Sequence, residues 1–269
     1  MNTQMEVICV GNELLIGKTL NTNAQWLARR ATSLGVMVRR ITVVGDEVEE
    51  IASAIREAMQ RKPRFIITTG GLGPTFDDKT LEGISEALNR KLILNDKALK
   101  MVKEKYEAYA KSGRIDDSEM TQYRVKMAML PEEAEPLPNP VGTAPGVLLK
   151  VDNTLLVALP GVPAEMEAIF EESVAALLRK EAGEIMFFEA SIYTDGIVES
   201  TLAPLIDITM RDNPYVYIKS HPKAEEKKPH IEVHLSTTAK DSETAKNRLG
   251  KAIIQLSELI KGKGGKVKV

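Results

Sequence analysis

The sequence predicts an α/β protein: a three-layer α/β/α domain on a mostly parallel sheet over residues 1–182, then a smaller α/β domain over residues 183–269. Three observations carry that prediction. Apolar, strand-like runs alternate with helical patterns from Met5 onward, and such alternation feeds right-handed crossovers that cover both faces of a parallel sheet. The run Ile66-Ile67-Thr68-Thr69 delivers the chain into Gly70-Gly71-Leu72-Gly73-Pro74, as a buried strand does at a ligand-binding turn. Composition shifts near Ala182-Gly183, after which strand, helix, strand, strand and helix follow in a compact pattern.

The elements follow in order. Met5 to Val10 reads as a first strand, closed by the polar turn Gly11-Asn12-Glu13. Asn21-Thr22-Asn23 caps a helix with Trp26, Leu27, Ala31 and Leu34 at helical spacing, and Gly35 stops it. Val36 to Val44 is a second strand ending at Gly45-Asp46. Glu47 to Arg61 is a helix with Ile51, Ala54, Ile55 and Ala58 on one face. Phe65 to Thr69 is the third strand, leading into the glycine loop. Two helices are expected in the middle, Asp96 to Ser112 and Asp117 to Met129, the second ended by Pro131. Asn139 to Gly146 has the Gly and Pro density of a rigid loop, and Asp152-Asn153 joins two strands as a hairpin. Pro160-Gly161-Val162-Pro163 precedes a helix from Ala164 to about Glu181. The second domain reads as strand 186–193, helix 198–210, strands 216–219 and 230–237, helix 242–260 and a frayed Gly/Lys tail.

Bulk properties exclude several classes. With 36 Lys+Arg against 38 Asp+Glu the chain has no field to recruit nucleic acid or an anionic membrane. Its one cysteine, Cys9, lies in an apolar run, which excludes intramolecular disulfides and fits a reducing cytoplasm. No apolar run is long enough for a bilayer and the N-terminus lacks signal-peptide regions, so a soluble, cytoplasmic protein is expected.

Ligands of parallel sheets bind beyond the C-terminal strand ends, where Gly11 to Asn23, Gly45 to Glu47 and Gly70 to Thr80 converge. Glycines at 70, 71 and 73 allow positive φ and close backbone approach, and Thr75 with the next helix start offers donors to a phosphate. Asp77 and Asp78 would repel that phosphate unless a cation lies between or they activate water. The alternative is a crossover loop with Asp78 as a helix cap. All three histidines lie in the second domain. A Ser-His-Asp or Cys-His engine is therefore excluded from the first, which leaves the loop acids Glu13, Asp46, Asp77 and Asp78 and a hard cation such as magnesium. The loops at Gly142-Thr143 and Pro160-Gly161 either contact phosphate or sugar or only set turn geometry. His230, Glu232 and His234 share a strand face that a metal could use, but a polar sheet face explains the pattern as well. Lys219, Lys223, Lys227 and Lys228 cluster near a hairpin, but Glu225 and Glu226 interrupt them, which favours a solvated loop over a nucleic-acid site.

Gly11-Asn12-Glu13-Leu14-Leu15-Ile16-Gly17 with Asn21-Thr22-Asn23, Val44-Gly45-Asp46, Thr69 to Thr75 with Asp77, Asp78 and Thr80, Gly142 to Gly146 and Leu159 to Pro163 together resemble the competence-damage-inducible (CinA-like) family over residues 5–181. The core also resembles the molybdopterin-binding domain of molybdenum-cofactor enzymes, which handles a pterin nucleotide; its Thr-Thr-Gly-Gly loop and two aspartates correspond to Thr68 to Gly71, Asp46 and Asp78. In CinA-like proteins the domain is linked to hydrolysis of ADP-ribose at its pyrophosphate, with a divalent cation and potassium. With that activity the catalytic candidates are Asp46 and Asp78, one or the other acting as the base, and the cation is expected on the loop acids Glu13, Asp77 and Asp78. The resemblance implies substrate contacts at Asn12, Glu13, Asn21, Asn23, Gly70, Gly71, Gly73, Thr75, Thr80, Gly142, Thr143, Pro160 and Gly161. A metal-dependent nucleotide pyrophosphatase is the leading expectation; a molybdopterin-binding module and a non-catalytic nucleotide-binding protein are the alternatives. The second domain resembles a KH-type module without the Gly-x-x-Gly loop that clamps RNA, so nucleic acid is not an expected partner. No sequence remains for the further domain that deamidates nicotinamide mononucleotide in many bacterial relatives, so that activity is expected to be absent. A homodimer is expected.

Overall fold

The computed structural model describes residues 3–183, 185–222 and 230–268. The chain divides into two compact units, Met1–Thr32 with Val36–Ala182 and Gly183–Val269 with Ser33–Gly35.

In the first unit β1 (Gln4–Val10) is followed by a short helix α1 (Asn12–Leu15) and then α2 (Thr22–Ser33). β2 (Met37–Val44), α3 (Val48–Gln60), β3 (Phe65–Thr69) and α4 (Thr80–Leu88) complete the alternating half. Asn21 Oδ1 accepts from Ala24 N at 3.1 Å and starts α2, while the left-handed Gly35 (φ 80°) turns the chain out of it. After β4 (Leu92–Leu94) come α5 (Asp96–Lys111), α6 (Gln122–Lys126), β5 (Met129–Pro131) and β6 (Glu135–Leu137). The hairpin β7 (Gly146–Val151) and β8 (Thr154–Leu159) turns through Asp152, at φ 52°. A final helical stretch joins α7 (Pro163–Ile169), a π-turn at Phe170–Val174 and α8 (Ala175–Ala182).

The main sheet runs β2-β1-β3-β8-β7-β6. β2, β1, β3 and β8 are mutually parallel; β7 and β6 are antiparallel additions. Ile8, Val10, Ile66, Leu156 and Ala158 on one face pack with Ile51 and Ile55 of α3 and Ile84 of α4. Their alternates Val7, Cys9, Ile67, Val157 and Leu159 are also buried, which is why these strands read as unbroken apolar runs. Trp26 of α2 meets Phe170 edge-on, centroids 5.2 Å apart. The mixed α/β class with a mostly parallel central sheet and a smaller second sheet is as the sequence predicts.

Two local expectations are corrected. The helix expected over Asp117–Met129 is only Gln122–Lys126, because Met129–Pro131 pairs with Leu92–Leu94 as a separate two-stranded ladder. In the second unit, β9 (Met186–Asp195), α9 (Glu199–Asp212), β10 (Val216–Pro222), β11 (His230–Ala239) and α10 (Ser242–Gly262) are followed by β12 (Lys266–Lys268). The tail expected to fray is thus partly a strand, since β9 has an open edge that Lys266, Val267 and Lys268 occupy. Ile192, Ile218, Val233 and Leu235 pack on Leu202, Leu256 and Ile260 to form this unit's core. Among the described residues no helix is long and apolar enough to cross a membrane. Lys223, Glu225, Glu226, Lys227 and Lys228 lie outside the described residues.

Candidate functional site

Parallel order places the loops after β1, β2, β3 and β8 at one edge of the sheet. Because β7 runs antiparallel, the loop that leads into it lies at that edge as well. Five sequence motifs, far apart in the chain, are thereby gathered by topology alone.

The glycine loop is at the centre. Gly70 takes φ 108° and its amide donates to Leu159 O at 3.0 Å; a Cβ there would stand 2.1 Å from Val10 O, so β1 leaves room for glycine only. Gly71 takes φ 66°, and a Cβ there would meet Thr80 Oγ1 at 2.4 Å. Thr80 is fully buried, its hydroxyl donating to Gly70 O at 2.8 Å and its amide to Gly71 O at 3.1 Å. Thr80 therefore shapes the loop from beneath instead of facing a ligand.

Beyond Gly73 the loop folds on its own carboxylates. Asp78 Oδ2 accepts from Thr75 N at 2.7 Å and Thr75 Oγ1 at 2.5 Å, and the same hydroxyl bonds Asp77. The Thr75 hydroxyl, with the loop backbone, holds the Asp77 carboxyl below its ordinary value, and the ammonium groups of Lys126 and Lys79 add to the effect. Asp78 is not the cap of α4, whose N-cap position is Lys79. Lys126 of α6 donates to Thr75 O at 2.6 Å and lines a hollow with Gly71, Gly73 and Asp78. Lys79 pairs with Glu47 at 3.2 Å. The cations facing the loop acids are thus lysines.

On the other side of the Gly70-Gly71 turn lies a cleft of about 390 Å³, open mouth included, with Glu13, Leu14, Leu20, Asn21 and Asn23 in its wall. Asn23 Nδ2 donates to Thr69 Oγ1 at 2.9 Å and Gly161 O at 2.8 Å, and Thr69 passes its own proton to Pro160 O at 2.9 Å. These bonds tie the ends of β3 and β8 to α2 and fix the amide's orientation, leaving Asn23 Oδ1 buried without a partner. Burial pushes the Cys9 thiol up, partly offset by the Asn21 side chain.

The remaining candidates are distributed. Asp46 accepts from Asn12 N at 2.8 Å and so holds the start of α1. Glu13 folds its carboxylate back over Gly11. Gly142 donates to Asn139 Oδ1 at 2.7 Å under the Glu165 carboxylate, and Thr143 lines a different hollow with Met101 and Lys105. Among the described residues no group of three or more His, Cys, Asp or Glu is placed to hold a metal ion. The expected set Glu13, Asp77 and Asp78 is not brought together: Asp77 and Asp78 share the Thr75 hydroxyl, whereas the Glu13 carboxylate is turned onto its own loop over Gly11. The His230 and His234 rings face separate carboxylates, Asp195 at 2.5 Å and Glu189 at 3.1 Å. Sequence reasoning missed Lys126, Thr69, Asn139 and Glu165. Thr69 and Asn139 carried a usable signal, since both stand inside quoted loop motifs.

Comparisons with known proteins bear on this edge. Residues 6–180 match the model of a family described as probable molybdopterin binding domain. A protein from Sulfurisphaera tokodaii is 44% identical over 263 residues, covering 97% of each chain. One from Pyrobaculum calidifontis is 49% identical over 258 residues, covering 96% of this chain and 95% of its own. A solved Thermoplasma acidophilum structure, described as protein CinA with unknown function, is similar with 39% identity and a TM-score of 0.59, over 68% of this chain and 99% of that one.

Proposed function

The chain belongs to the family of probable molybdopterin-binding domains, and from that premise we propose that its first unit binds a phosphorylated pterin at the edge where the five loops meet. The observation that carries this reading is the glycine turn Gly70-Gly71 at that edge, with the Thr75 donors and the Lys126 ammonium beyond it on one side and the Asn23 cleft on the other. The phosphate takes the Thr75 side, where the Thr75 amide and hydroxyl and the Lys126 ammonium offer donors. Asp78 now holds the Thr75 amide and hydroxyl, so the phosphate exchanges for a carboxylate already bound there, and the loop keeps its shape when empty. Binding without bond cleavage is favoured over hydrolysis of ADP-ribose. Asp46 is committed to a backbone amide, and among the described residues no three of the loop acids are gathered on one cation position, so no catalytic step through a metal is assigned.

The test is calorimetric titration with 6-hydroxymethylpterin phosphate and with ADP-ribose, with and without magnesium, followed by product analysis. The reading expects the pterin phosphate to bind with both compounds recovered intact, and Lys126→Met to weaken binding about fivefold while Lys126→Arg retains it. AMP and ribose 5-phosphate appearing from ADP-ribose would overturn it in favour of a pyrophosphatase.

A further inference from the structure

Phe76 is 85% exposed, although an aromatic ring is among the side chains that gain most from burial. It stands at the tip of the loop between Gly70 and Thr80, between the two residues whose polar groups organise that loop. Its display is not the result of a loose segment. Thr75, immediately before it, is pinned at three points: its amide by Asp78, its hydroxyl by Asp77 and Asp78, and its carbonyl by the Lys126 ammonium. Asp77, immediately after it, is held by the Thr75 hydroxyl. The backbone on both sides is therefore fixed from below, and the ring is presented outward by a braced turn. The small hollow that Lys126 and Asp78 line with Leu72, Leu81, Leu92 and Met129 does not have Phe76 in its lining. Exposed apolar side chains stand on two other loops of the same edge, Leu20 at 83% before α2 and Val162 at 54% before α7.

We propose that Phe76 is a specificity-determining residue that stacks on the planar heterocycle of the ligand whose phosphate the glycine loop holds. The proposal rests on the phosphate-binding reading above and adds to it the face by which the ring is recognised. Thr75 offers its donors to the phosphate, and the next residue along offers a flat apolar surface. A ligand with a phosphate and an aromatic ring a few bonds apart can engage both, whereas a phosphorylated sugar engages only the first. Stacking is tolerant of ring identity because every heterocycle has a π-face, so pterin and purine phosphates share this contact.

The experiment compares parent, Phe76→Ala and Phe76→Trp as full chains, titrated with 6-hydroxymethylpterin phosphate, GMP, ribose 5-phosphate and inorganic phosphate. Because the side chain is exposed, the fold is expected to survive both changes, and denaturation followed by far-UV circular dichroism checks this. The expected result is a loss of about tenfold in Phe76→Ala for a ring-bearing phosphate that the parent binds, with ribose 5-phosphate and inorganic phosphate within twofold of the parent. Phe76→Trp should restore the affinity, and its added indole emission should be quenched by the ring-bearing ligand and not by phosphate. Equal losses for ligands with and without a ring, or no loss at all, would overturn the proposal while leaving phosphate binding intact. A parent that binds none of the four removes the reading of the site, and this inference with it. A change in mass by light scattering in Phe76→Ala, with unchanged affinity, would assign the ring to a contact between copies and overturn the proposal.

Discussion

Gly71→Ala should destabilise the first unit by about 2–5 kcal/mol, and the penalty should be largely coupled to Thr80. The sum has two parts. Alanine at φ 66° costs roughly 1–2 kcal/mol, the penalty of the left-handed region for a residue with a Cβ. The new methyl would also stand 2.4 Å from Thr80 Oγ1, so the buried hydroxyl must turn away from Gly70 O and leave both groups unsatisfied, at about 1–3 kcal/mol. Against a domain stability of roughly 5–15 kcal/mol this is severe but survivable. Trp26 is the only tryptophan and lies in the first unit, so urea denaturation followed by its emission reads that unit. Thr80→Ala removes the obstructing oxygen. In that background Gly71→Ala should cost only the backbone part, and the cycle should show about 1–3 kcal/mol of non-additivity. Strict additivity, or a Gly71→Ala chain within about 0.5 kcal/mol of the parent, would refute this account of the loop.

Asp78→Asn keeps one acceptor for the Thr75 amide but removes a negative charge beside the phosphate position. Phosphate affinity measured by calorimetry should rise about fivefold, roughly 1 kcal/mol at these separations, and weaker binding would show that the carboxylate helps. Glu6, only 5% exposed, is paired with Arg61 at 2.8 Å through both oxygens; Arg61→Met should cost about 3–5 kcal/mol by Trp26-monitored denaturation, and adding Glu6→Gln should recover part of it. Arg64 and Arg30 hold the carboxyls of Glu181 and Glu171 below their ordinary value of 4.5. A folded pKa below the unfolded one contributes stability above about pH 4.5 that is lost as pH falls through the depressed value, so Trp26-monitored stability should drop in that acid range and Glu181→Gln should reduce the drop.

How much of this was legible follows from what each feature depends on. The central strands announce themselves because both faces are buried, which forces apolar residues at consecutive positions such as Val7 to Val10 and Ile66-Ile67. The turns at Gly35 and Asp152 are legible because their backbone conformations demand particular residue types. Three-residue pairings were not, since Leu92–Leu94 finds Met129–Pro131 across a long stretch of chain and neither run has enough residues for a period. The Gly/Lys tail reads as solvated by composition, yet lysines are what an edge strand such as Lys266–Lys268 carries to discourage further pairing. At the site, residue type gave location but not direction. Asp46 and Asp78 stand at the predicted edge, but one oxygen of each accepts a backbone N–H of its own chain, and such bonds compete with metal ligation without leaving any mark in spacing. Lys126 shows the converse. It sits where a helix of little apparent chemistry was expected, and only the fold brings its ammonium to Thr75. In the proposed phosphate reading, that lysine is a covalently attached counter-charge beside the two aspartates, and the reading then expects phosphate affinity to be insensitive to added magnesium.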